Sequence, residues 1–263
     1  MGRRVTAALA LCAVLTAGTG APPVSAQPDP VAGPDLVSLS DVDPSILLGI
    51  RYATEHNFTG RRVDGYDAPL CLLARPAAEA LRDAQRDFLS RGYSLKVYDC
   101  YRPQRAVDDF VAWARDLADQ QMKAEFYPRV DKSRLFADGY IAEKSGHSRA
   151  STVDLTLVAL PAPPEPVYVA GEPLVDCTAP AGQRFADAGI DMGTGYDCFD
   201  TLAHTLDPRV QGSQLENRLL LTNGLKQHGF ENYDKEWWHF TLTPEVYPDT
   251  SFDVPVAPSS AQR

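Results

Sequence analysis

The sequence is poor in basic side chains, has few cysteines, and contains no long apolar run after its first residues. Lys and Arg number 25 against 35 Asp and Glu, for a formal net charge of −10. That balance argues against a nucleic-acid partner, because such binding rests on Lys and Arg neutralising phosphates. It also offers no basic stripe for an anionic membrane surface. A membrane-spanning helix needs about 20 consecutive apolar residues. No later segment supplies them, so no stable membrane insertion is expected. The five cysteines contain no C-x2-C pair, the tight spacing that a zinc–thiolate site would need. No internal repeat or second-domain boundary is present.

The chain start sets the compartment. Met1–Arg4 carries two arginines, an apolar run extends from Val5 to about Ala17, and Val24-Ser25-Ala26 precedes Gln27. These parts read as a secretory signal over residues 1–26, so the mature protein is expected to be secreted, periplasmic or in the cell envelope. Cleavage there removes Cys12 and leaves Cys71, Cys100, Cys177 and Cys198. An even count in an exported chain favours disulfides over free buried thiols, and three connectivities are open. The expected pairs are Cys71–Cys100 and Cys177–Cys198, because each falls within one stretch of chain.

Residues 27–35 read as a flexible leader, 36–255 as one domain and 256–263 as a flexible tail. Leu36–Leu39 and Ile46–Tyr52 are apolar starts. From Arg75, the residues Ala77, Ala80, Leu81, Ala84 and Phe88 follow helical spacing up to a stop at Arg91-Gly92. Leu95 to Tyr98 alternates as a strand. Pro103 suits the first turn of a second helix, with Ala106, Phe110, Trp113, Ala114 and Leu117 on one face. Thr152–Leu160 is β-branched and apolar, a strand with Asp154 near its start. Pro161–Ile190 reads as a long surface loop tied by a disulfide. A third helix over Leu215–His228 and a strand over Glu236–Leu242 complete an α+β domain, with a small, mostly antiparallel sheet flanked by helices.

Three constellations can carry chemistry. His147 and Asp154 stand seven apart, where a loop feeding a strand can fold both toward one point. Far downstream, Glu236-Trp237-Trp238-His239 supplies a carboxylate and a second histidine. Two histidines and one carboxylate suit a three-ligand catalytic zinc site at the sheet, one Zn2+ per chain, with a fourth position for water. On a strand, Glu236 points away from His239, so it fits a base acting on that water rather than a ligand. Taken alone, each His is more often a structural or hydrogen-bonding residue. The third constellation, Tyr98-Asp99-Cys100-Tyr101-Arg102-Pro103, sets Arg102 before a helix, where a guanidinium can stabilise an oxyanion. On spacing alone the reading is blander: a surface Arg paired with Asp99 or Asp108.

Together these segments resemble the zinc D-Ala-D-Ala dipeptidases, within the group that includes D,D-carboxypeptidases and the hedgehog signalling domain. The pattern S-x-H-x(6)-D falls on Ser145, His147 and Asp154, E-x-W-H on Glu236, Trp238 and His239, and Y-R-P on Tyr101, Arg102 and Pro103. Arg51-Tyr52-Ala53-Thr54, Asn57-Phe58-Thr59-Gly60 and Asp191-Met192-Gly193-Thr194 leading to Tyr196-Asp197 extend the likeness from about residue 36 to 255. The resemblance implies His147, Asp154 and His239 as zinc ligands, Glu236 as base and Arg102 as transition-state stabiliser. It implies Asp197 as the carboxylate for the substrate's amino terminus and Ser145 as a substrate contact. The family often has Gly where Ala150 stands and Ala where Thr152 stands, and its compact members have a shorter Pro161–Ile190 stretch. The implied activity is hydrolysis of D-Ala-D-Ala to two D-alanines. The alternatives are a D,D-carboxypeptidase acting on peptidoglycan stem peptides and a zinc-stabilised binding module without turnover, which would lack the base.

Overall fold

Sequence periodicity decides most of the architecture. In the computed structural model, residues 1–2 and 33–262 are described, and residues 33–262 belong to one compact unit. Apart from Met1 and Gly2, the expected signal segment and the leader up to residue 32 lie outside the described residues. The elements run β1 (Leu36–Ser38), α1 (Leu39–Val42), β2 (Leu47–Leu48), β3 (Leu72–Ala74), α2 (Arg75–Ser90), β4 (Tyr93–Asp99), α3 (Gln104–Arg115), α4 (Lys123–Phe126), β5 (Thr152–Ala159), α5 (Ser213–Lys226), β6 (Phe230–Asn232) and β7 (His239–Leu242). Short 3₁₀ turns fall between them. Among the described residues, no helix is long and apolar enough to cross a membrane.

The main sheet has the order β2-β4-β5-β7-β6, with β2 parallel to β4 and every other pair antiparallel. β1 and β3 form a separate antiparallel pair. This is the expected α+β class. On β5, Val153, Leu155 and Leu157 alternate with Thr152, Asp154 and Thr156, and all six are buried. The apolar row faces the same way as Leu95 and Val97 of β4, which pair with Leu157 and Leu155. It joins a core that includes Ala77, Leu81, Ala84 and Phe88 of α2. Helix α5 lies close to α2 because position 224 is glycine: a Cβ there would sit 2.3 Å from the Phe88 ring.

Several expected boundaries shift. The strand expected over Glu236–Leu242 begins only at His239, because residues 233–238 close the β6–β7 hairpin. Within it the Glu236 N–H donates to the Tyr233 carbonyl at 3.0 Å, and the Asn232 amide donates to the carbonyls of Glu236 and His239. Helix α3 ends at Arg115, so Leu117 is not on its buried face and is exposed. Ile46–Tyr52 yields a two-residue strand and then a 3₁₀ turn. Helix α5 starts and stops two residues earlier than expected.

The disulfides are Cys71–Cys100 and Cys177–Cys198, as expected. Residues 161–190 contain no helix or strand, and the second disulfide ties them to the segment carrying Asp197. Residues 256–262, expected as a loose tail, are hydrogen-bonded into the fold. Val256 is buried and bridges Tyr66, and the Gln262 N–H donates to the Leu36 carbonyl at 2.7 Å.

Arg218 of α5 is fully buried, and burial brings its pKa down to about 10. Its guanidinium donates to the carbonyls of Met192 (2.7 Å), His204 (2.6 Å) and Leu202 (3.0 Å), on either side of residue 197. Truncation strands these carbonyls, each at roughly 1–3 kcal/mol. Arg218→Ala is therefore expected to cost at least about 3 kcal/mol and to lower Tm by at least roughly 6 °C for a domain of this size. Thermal unfolding followed by circular dichroism checks this, and a shift under about 2 °C contradicts it.

Candidate active site

Strand register puts three polar side chains in one row across the sheet. Asp99 of β4 is opposite Asp154 of β5, and Asp154 is opposite His239 of β7. The β4–β5 register breaks between Val97 and Asp99, a bulge that resets which face the end of β4 presents. His147 joins from the 3₁₀ turn Gly146–Arg149 just before β5. Ser145 caps that turn by accepting the His147 N–H at 3.2 Å. Ala150 ends it with φ 61°, the left-handed conformation that glycine adopts without strain. The His147 carbonyl also accepts the Arg102 N–H at 3.3 Å, fastening the turn to the end of β4.

The donor atoms of His147, Asp154 and His239 converge, all lying within 4.8 Å of one another. Asp154 Oδ1 is 3.2 Å from His147 Nε2 and 3.1 Å from His239 Nδ1. The two nitrogens are 3.3 Å apart. Ligand bonds of about 2.0–2.1 Å at tetrahedral angles place donor atoms roughly 3.3 Å from each other, so the spacing fits one shared ion. Two further features agree. The His147 Nδ1–H donates to the Cys100 carbonyl at 2.7 Å, which leaves Nε2 with a bare lone pair. Asp154 Oδ1 is buried and has no well-aligned hydrogen bond. These residues could therefore hold a metal ion.

Charge is concentrated around this point. Burial would raise the Asp154 pKa, but the two histidines hold its carboxyl far below the usual range. Burial would lower His239, yet Asp154 keeps its imidazole above the ordinary value. The carboxylate thus demands a cation here, whether a proton or a metal. Burial raises Asp99, against the pull of Arg102 and His147. Arg102 donates to Asp99 Oδ2 through Nε at 3.0 Å, comes within 3.7 Å of Asp154 Oδ2, and reaches Ser145 Oγ at 3.5 Å. It packs over the rings of Tyr52 and Phe110.

Asp197 is buried at φ 55°, and burial followed by repulsion from Asp154 pushes its carboxyl well above the usual range. It accepts a hydrogen bond from Tyr52 at 2.7 Å and enters no ion pair among the described residues. Glu236 has its Oε2 3.4 Å from His239 Nδ1, and 30 % of its side chain reaches solvent. Desolvation raises its carboxyl above the ordinary value, against the pull of His239.

All seven expected residues (Ser145, His147, Asp154, Asp197, Arg102, Glu236 and His239) line one cavity of about 360 Å³. Arg102 does pair with Asp99, as the blander reading had it, but the pair is buried rather than on the surface, and Asp108 bonds Gln104 instead. Sequence reasoning named Asp99 only as a partner for Arg102 and assigned no role to Tyr52 or Tyr196. Tyr196 donates to Asp154 Oδ2 at 3.0 Å, and its ring stacks on Tyr98. The available signal was their place within motifs already noted, at Tyr98–Pro103, Arg51–Thr54 and Tyr196-Asp197. Trp237 and Trp238 are buried, with Trp237 donating to Thr194 at 2.8 Å. His56, His204 and His228 lie outside the donor cluster.

Comparison with known proteins bears on this geometry. A family profile described as D-Ala-D-Ala dipeptidase matches residues 33–161 and 186–257. A D-alanyl-D-alanine dipeptidase of Enterococcus faecalis is 35% identical over 218 residues, covering 81% of this chain and 95% of that protein. One from Streptomyces coelicolor is 36% identical over 223 residues, covering 85% and 98%. One from Escherichia coli is 28% identical over 209 residues, covering 79% and 84%. The profile passes over residues 162–185, which lie within the irregular loop tied by Cys177. With matches of this extent, the chain is a peptidase and belongs to the D-Ala-D-Ala dipeptidase family.

Proposed function

We propose that this protein hydrolyses free D-Ala-D-Ala to two D-alanines, with one zinc ion held by His147, Asp154 and His239. The observation that carries the reading is the meeting of a three-donor cluster, a carboxylate beside it and a buried, cation-free carboxylate in one small cavity. Zinc suits two imidazoles and a carboxylate; bound, it supplies Lewis acidity that polarises a carbonyl and lowers the pKa of water toward about 7.

The chain's own groups do the rest. Glu236 takes a proton from the attacking water and returns it to the leaving amine. Its partial exposure and raised affinity for protons suit both directions of transfer. Arg102, oriented by Asp99, presents its charge to the oxyanion that forms as water adds. Asp197 receives the substrate's ammonium. With no cation of its own, the buried carboxyl gains its partner only when the dipeptide enters. Ser145 borders the same cavity and helps seat the dipeptide. Export across the membrane is supported by the N-terminal signal pattern and by two disulfides, bonds that persist in oxidising compartments.

D-alanine release by the purified protein tests this reading. Free dipeptide is expected to be cleaved, with loss of activity in chelator and recovery on adding zinc. Cleavage of stem peptides ending in D-Ala-D-Ala at a comparable rate would replace the dipeptidase reading with a carboxypeptidase. Glu236→Gln is expected to lower kcat by about 10²–10⁴ while keeping one zinc per chain by elemental analysis; near-normal turnover would remove Glu236 as the base. Asp197→Asn is expected to weaken use of the free dipeptide through loss of the ammonium's counter-charge. At least a tenfold fall in kcat/KM, by order of magnitude, matches the loss of one hydrogen-bonded charge pair.

A further inference from the structure

A second cavity of about 290 Å³ borders the active-site cavity. The two share the lining residues Gly139, Tyr140, Phe199, Tyr233 and Glu236. Tyr140 and Phe199 are stacked, with ring centroids 5.1 Å apart and planes 15° from parallel. Phe199 is the fixed half of this pair. Its N–H donates to the Phe126 carbonyl at 2.8 Å, and its ring packs on Phe58 at 5.1 Å. Tyr140 is the outer half and only partly buried. A turn at Gly139 (φ 83°) presents it, with the Tyr140 and Ile141 N–H groups both donating to the Leu135 carbonyl. Phe199 follows Asp197 by two residues, and the aromatic pair lines the same cavity as the carboxylate assigned to the substrate's amino group.

We propose that the Tyr140–Phe199 stack is a wall that sets substrate length, stopping the peptide at its second residue by separating the two cavities. This rests on the dipeptidase reading and names the residue that enforces it. Space for a longer peptide already exists behind the wall. The second cavity is bordered by Asp138, Lys235 and His204 as well as by Trp238, a lining suited to a polar peptide extension. Removing the outer ring joins that space to the active site, and a residue amino-terminal to D-Ala-D-Ala then has somewhere to go. The wall is the ring face, since stacking is what closes the gap; the Tyr140 hydroxyl has no part in it.

The test is the ratio of kcat/KM for L-Lys-D-Ala-D-Ala to kcat/KM for D-Ala-D-Ala, measured in the zinc-loaded wild type and in Tyr140→Ala and Tyr140→Phe. Tyr140→Ala is expected to raise the ratio at least tenfold, and Tyr140→Phe to keep it within about twofold of wild type. If Tyr140→Ala does not fold, Tyr140→Leu takes its place, because it too removes the planar ring. An unchanged ratio in the folded ring-less variant overturns the proposal, as does an equal rise in Tyr140→Phe. The wild-type rate on the free dipeptide reports separately on the dipeptidase reading. If that rate is absent, the functional assignment falls first; if it is present and the ratio does not move, only the wall falls.

Discussion

Two carboxylates buried side by side on neighbouring strands are the constraint around which this molecule is arranged. Asp99 and Asp154 occupy opposite positions on β4 and β5, and neither is appreciably exposed. Like charges directly opposite in a sheet are destabilising, and burial denies them water. Arg102 answers the first carboxylate and leans toward the second. What remains of the Asp154 charge falls at the point where His147 Nε2 and His239 Nδ1 converge. A cation placed there resolves the electrostatics that the strand register creates. The bulge at the end of β4, the capped turn bearing His147 and the Cys100 carbonyl all serve to hold that point in place.

The rest of the fold carries the proposed substrate side. Asp197 lies on a segment with little regular structure, yet both flanks are fixed. Arg218 gathers the carbonyls of Met192, Leu202 and His204, and the Cys177–Cys198 disulfide fastens the residue next to Asp197. A left-handed backbone at a non-glycine residue costs about 1–2 kcal/mol, and it persists only where the surroundings over-determine it. Asp197 and Ala150, which ends the His147 turn, are two such residues, both beside the cavity chemistry.

The helices α2 and α3 and the strand β5 were legible in the sequence because their signals are local: apolar spacing for the helices, a β-branched run for the strand. The candidate metal donors were singled out by motif spacing joined to family likeness, and Asp197 by the likeness alone. Other features depend on pairings between distant segments. The order of the main sheet brings β5 between β4 and β7 although some 80 residues separate Ala159 from His239. The bulge that turns Asp99 into the site leaves no mark in composition. Glu236 read as a strand residue because Trp237, Trp238 and Phe240 look like strand, and only the hairpin's own hydrogen bonds show that it sits in the turn. Tyr140 belongs to no motif and gains meaning only from the ring stacked on it.

The most direct test of this account is the thermal stability of the metal-free protein titrated with zinc, with bound metal counted in parallel. An ion that binds only the folded state raises stability by RT ln(1 + [L]/Kd), about 2.7 kcal/mol at a hundredfold excess over Kd. The account expects a rise in Tm that saturates at one zinc per chain and disappears in His147→Ala. A Tm indifferent to zinc, or a rise of the same size in His147→Ala, would contradict the claim that this cluster is where the buried carboxylates receive their cation.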